Sequence, residues 1–153
     1  MRNKRNFRIY PILLLGVMFM LTYSCKKENK NSGTPAATTT DMEGTWVGKE
    51  IGGSNETFTV ICNKNSNSTS SPSEWYTGTF SVHGTTYPKD LDVKISQCNY
   101  TPYIGKTSLC LYKISNDSLF MASNEPGNTI RPTSLAGSND TRFFIFLRQN
   151  TGK

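Results

Sequence analysis

A single histidine, His83, bounds the chemistry open to this chain. A serine or cysteine nucleophile with an imidazole base, or a metal cluster built on imidazole, would have to use it. It sits at a turn with Gly84. The cysteines, Cys25, Cys62, Cys98 and Cys110, form no Cys-x-x-Cys pair, so no metal or cofactor is expected. Asp90 and Asp92 share one face of an alternating segment and could be read as paired carboxylates. Lys94 continues that face, which reads instead as a solvated outer surface. The glycines Gly52-Gly53 and Gly84 read as turn residues, not as a phosphate cradle. No residue reads as catalytic, and binding or interaction is the expected class of function.

Cys25 suggests a different chemistry. Arg2, Lys4, Arg5 and Arg8 precede an apolar run from Ile9 to Leu21, and Thr22-Tyr23-Ser24-Cys25 follows. The run is shorter than the roughly 20 residues a spanning helix needs and has the order of a secretory signal over 1–24. Cleavage before Cys25 would free its thiol to carry a diacylglycerol. Ordinary cleavage after Ser24 would leave Cys25 incidental. The stretch Cys25-Lys26-Lys27-Glu28-Asn29 resembles the looser lipoprotein signals of some bacteria, which implies lipidation. Leu21, four residues before the cysteine, and bulky Tyr23 depart from the usual pattern. The implied address is the bacterial cell envelope, lipid-anchored, with the outer membrane favoured over the inner. Residues 25–40 then form the lipidated cysteine and a flexible tether, because 26–40 hold no aromatic or large aliphatic side chain to bury.

The net charge of +6 belongs to these segments. Four of the 17 basic residues lie in the signal, and the spacer adds Lys26, Lys27 and Lys30 against Glu28. Residues 41–153 hold 10 basic and 10 acidic side chains. A neutral domain without a basic stripe argues against nucleic acid as a partner.

The domain 41–153 has the period of strands. Tyr76, Gly78, Phe80 and Val82 alternate with Thr77, Thr79, Ser81 and His83, and Leu91, Val93 and Ile95 alternate with Asp92, Lys94 and Ser96. Further strands are expected at 45–51, 56–62, 107–114, 118–122 and 142–148. Turns are expected at 52–55, across the Asn/Ser/Pro run 63–73, at 83–84, at 115–117 and in the loop 123–141. This spacing predicts an all-β antiparallel meander, closed as a barrel or folded as a sandwich. Phe143 to Leu147 is apolar on both faces, so this strand is expected to pack beneath the segment 40–44.

Gly44-Thr45-Trp46 resembles the Gly-x-Trp that opens lipocalin-type barrels, and Arg148 matches the basic residue that packs on that Trp. The chain is similar to the small lipocalin-like domains of bacterial exported proteins. The stations are Thr79-Phe80, Pro88-Lys89-x-Leu91-Asp92, Gly105-Lys106-Thr107, Leu111 to Ile114, Asn116 to Leu119, Arg131-Pro132-Thr133 and Phe146-Leu147-Arg148. The resemblance implies an up-and-down lipocalin-like β-barrel of about seven or eight strands and no assigned activity. Trp46 and Arg148 are expected to form a structural plug at one end, by cation–π contact.

Such a barrel is just wide enough to fill itself with side chains or to hold one small ligand. Phe58, Tyr76, Phe80, Tyr112 and Met121 are candidate wall residues for a small apolar ligand. Gly48, Cys62, Gly78 and Cys110 are small enough to leave space. Arg131, within the long loop, is a candidate for an anion or partner contact; the alternative is that it caps backbone carbonyls. Cys98 and Cys110 flank a hairpin connection and could form a disulfide, whereas Cys62 reads as a buried free thiol. Two readings stand: a ligand-binding barrel, or a filled barrel that contacts another envelope protein through 123–141, as an inhibitor or immunity protein would.

Overall fold

The computed structural model describes residues 41–150. The signal, Cys25 and the tether lie outside them. Eight strands follow one another: β1 (Gly44–Glu50), β2 (Thr57–Asn63), β3 (Ser66–Ser70), β4 (Trp75–His83), β5 (Lys89–Cys98), β6 (Thr107–Ser115), β7 (Ser118–Asn124) and β8 (Thr141–Arg148). Each pairs antiparallel with the next, and β8 returns to β1 to close the barrel. Closure leaves no unpaired edge among these strands. A short 3-10 turn, Thr101–Tyr103, interrupts the β5–β6 connection.

Alternation decides which residues enter the core. On β2, Phe58, Val60 and Cys62 are buried while Ile61 and Asn63 face out. On β8, Phe144 and Phe146 point inward and Leu147 is exposed. The core gathers Met42, Trp46, Phe58, Phe80, Leu91 and Tyr112 among others.

β3 was expected to be part of a turn run. Its sequence, Ser66-Asn67-Ser68-Thr69-Ser70, holds nothing apolar for the core. It forms because β2 and β4 supply ladder partners on both sides, Cys62 and Gly78 flanking Asn67. Tertiary pairing overrides a weak local preference here.

The segment before β1 does not lie over β8. It crosses the end of the barrel and inserts Met42, 2% exposed, into the core. The outer face of β8 therefore keeps Leu147 in solvent. The β7–β8 loop straps the outside of β5, β6 and β7 instead. Pro132, Leu111 and Ala122 are buried where it crosses.

Cys98 and Cys110 do not pair. Cys110 stands opposite Leu91, so Cys98 lies seven residues further along β5. That is roughly 20 Å at the rise of a strand, against a limit of about 7 Å for a disulfide. Cys62, Cys98 and Cys110 are all buried free thiols.

Candidate binding cavity

The barrel has two unlike ends. At the end near β1's start, Trp46 is wholly buried and its Nε1 donates to the Met42 carbonyl at 2.8 Å. The Arg148 guanidinium lies 4.0 Å from the Trp46 ring centroid. Its Nη1 and Nη2 donate to the Glu43 and Asp41 carbonyls, at 2.6 and 2.9 Å. The Asp41 carboxylate accepts from Tyr87, from Lys89 at 2.6 Å and from Tyr112 at 2.7 Å. Burial opposes ionisation of Asp41, but these three donors together outweigh it and hold the carboxyl below its usual range. Burial and the bond to Asp41 push the Tyr87 phenol up to about 12, so it stays a donor. This end is closed.

The other end opens into a cavity of about 740 Å³ inside the barrel. Phe58, Phe80, Leu91, Phe144 and Phe146 furnish its apolar wall. Phe58 meets Phe144 edge to face at 5.3 Å, and Phe144 stacks on Phe146 at 5.6 Å. Cys62 and Cys110 also line it. Burial raises both thiols, Cys62 to about 12, so neither is a ready nucleophile.

Of the expected wall residues, Phe58, Tyr76, Phe80 and Met121 line the cavity. Tyr112 does not: it is fully buried at the closed end, with its hydroxyl on Asp41. Arg131 is on the outer surface. Its Nη1 donates to the Leu91 and Cys110 carbonyls at 3.1 and 2.6 Å, and its other nitrogens meet Asp90 and Asp92. It caps carbonyls and anchors the strap, and is not free for an anion. Gly48 and Gly78 do not supply the space expected of them. A Cβ at Gly48 would fall 2.0 Å from the Ile145 carbonyl oxygen, and one at Gly78 1.9 Å from that of Lys94. These glycines let neighbouring strands approach, and the space comes from elsewhere.

The polar group of the mouth was not anticipated. Arg142 shares the inward phase of Phe144, Phe146 and Arg148, and that phase was the available signal. Its guanidinium lies over the Phe144 and Phe58 rings at 4.9 and 5.4 Å. It donates to Glu50 Oε2 at 2.7 Å and to Glu74 Oε1 at 2.7 Å. Burial alone would lower its pKa, but the two carboxylates outweigh that and raise it. Tyr76 donates to Glu74, and Tyr103 to Glu125. Asn67, 9% exposed, stands in the wall with its Oδ1 lacking a hydrogen-bond partner.

The outer face holds Ser81, His83 and Asp92 close together. His83 Nε2 lies 3.4 Å from Ser81 Oγ and 3.3 Å from Asp92 Oδ2. One nitrogen serves both contacts, so the ring cannot take a proton from serine while Asp92 orients its other side. The cluster is exposed and is a surface contact.

No family model matches the chain, and no characterised protein or solved structure does either.

Proposed function

We propose that this chain is a binding module of the bacterial cell envelope, carried on a lipid at Cys25, whose barrel holds one small apolar or amphipathic molecule. The cavity carries the reading. Its volume, about 740 Å³, is in the range of small-molecule sites, which run from about 300 to 1,000 Å³. Phe58, Phe80, Leu91, Phe144 and Phe146 give it an apolar wall, with Asn67, Thr69, Ser108 and Ser123 set among them and the charged groups at the rim. Placed polar groups within an apolar lining are usual in such sites. The engagement of Arg131 with Asp90, Asp92 and two carbonyls weighs against the strap as a contact surface for another protein.

The test is native mass spectrometry of the chain recovered from its host. An adduct of defined mass, lost on denaturation, is expected. Bare protein alone, together with no displacement of a fluorescent apolar dye, would overturn the reading. The tether is tested separately: full-length chain should partition into detergent, and Cys25→Ser should move it to the aqueous phase.

A further inference from the structure

The charges at the cavity mouth specify more than an apolar ligand. Within the lining, Glu74, Glu125 and Asp140 stand against a single cation, Arg142. That cation is already bracketed by Glu74 and by Glu50 behind it. A carboxylate or phosphate head would have to compete with both for the guanidinium and would meet the remaining acids. Within the lining a cationic head meets only one repelling group, already neutralised, while Lys106 beside Gly127 is a second cation outside the lining. Coulomb terms in a partly desolvated mouth are several times those in bulk water, so this asymmetry is large enough to select.

The aromatic residues of the mouth point the same way. Tyr76, Tyr100 and Tyr103 line the mouth, with Tyr100 and Tyr103 edge to face at 4.6 Å. Aromatic faces attract cations and not anions. The Tyr103 phenol is pushed up to about 12 by burial and by Glu125, so it adds no charge of its own near neutral pH.

We infer that the cavity takes an amphiphile with a cationic head: its apolar body lies against Phe58, Phe80 and Phe144, and its head lies at the mouth between Glu74, Glu125, Asp140 and the tyrosines. The inference rests on the binding reading above and adds the class of ligand to it. The head enters as an ammonium or an amidinium-like group, and no covalent step is involved.

Isothermal titration of the Cys25→Ser chain, which carries no lipid to compete, with three probes of one chain length tests it. The probes are dodecylamine, dodecanol and dodecanoate, each below its micelle concentration at pH 7. Dodecylamine is expected to bind at least tenfold more tightly than dodecanoate, with dodecanol between, and the gap should narrow as salt is raised. Equal affinities, or dodecanoate the tightest, would overturn the head-group inference and leave the binding reading standing. No binding by any probe would overturn both. Glu125→Gln with Asp140→Asn is the variant of choice, since both residues are exposed and neither belongs to the core. It should cut the dodecylamine preference at least threefold while dodecanol binding holds. An unchanged preference would overturn the assignment of the head to this rim. Glu74→Gln should shift the order further toward dodecanoate, by leaving Arg142 with Glu50 alone.

Discussion

Trp46 ties several contacts to one side chain. Its ring is wholly buried, its N–H satisfies the Met42 carbonyl, and its face receives Arg148. Truncation removes a large apolar surface, leaves a carbonyl without its donor and exposes the guanidinium's inner face to a void. Trp46→Ala should therefore cost about 3–5 kcal/mol, read as the shift in urea unfolding free energy. A cost below about 1 kcal/mol would show that the plug does not hold this end together. Arg148 is legible beside it, because Gly-x-Trp and a basic residue on the last strand announce the pair in sequence. Arg142, six residues earlier on the same phase, was equally visible as an inward-facing charge. It escaped notice because its partners, Glu50 and Glu74, lie 92 and 68 residues away. Only barrel closure brings them together.

At the scale of elements, the β7–β8 loop is held as a strap. Arg131 fastens its middle to β5 and β6, and Asn124 Nδ2 holds the Ile130 carbonyl at 2.7 Å. Its Pro132 is buried against the barrel. Arg131→Ala should release this segment: amide exchange should rise across 125–140 while the barrel strands keep their protection. The loss of charge-assisted bonds should lower stability by about 1–3 kcal/mol. Exchange rising equally throughout the barrel would mean that the strap is part of the global core instead. The strands with period-two apolar residues were readable because burial on one face imposes that period. β3 was not, since its inward residues Asn67 and Thr69 line a cavity and not a core. A strand that faces empty space carries no hydrophobic alternation to read. The Cys98–Cys110 pairing failed for another reason. The β5–β6 ladder ends at Lys94↔Thr107 and the Ile95–Lys106 bond, and β5 runs on to Cys98 against Tyr76 of β4, an overhang that composition does not reveal.

At the scale of the whole molecule, the two ends of the barrel differ in their charges. The closed end concentrates bonded charge on Asp41, and the open end carries Glu74, Glu125 and Asp140 around Arg142. The sign of the pH dependence follows from the closed end. Asp41 ionises more readily folded than unfolded, because Lys89, Tyr87 and Tyr112 favour its charged form more than burial opposes it. A depressed carboxyl contributes stability above its unfolded pKa of about 3.9. That contribution fades as pH falls through the folded value, so the loss falls below about pH 4. Asp41→Asn removes the titration and part of the bonding. It should lower stability at pH 7 by about 1–2 kcal/mol, modest because the carboxylate is partly solvated. The penalty should shrink as pH falls below about 4 and the native Asp41 takes up its proton. Urea midpoints of both proteins over a series of pH values from 7 downward measure this directly. A constant difference across the range would mean that Asp41 acts by packing alone. Dodecylamine affinity at pH 7 should be unchanged by the same substitution, because Asp41 lies outside the cavity lining and at the opposite end from the mouth.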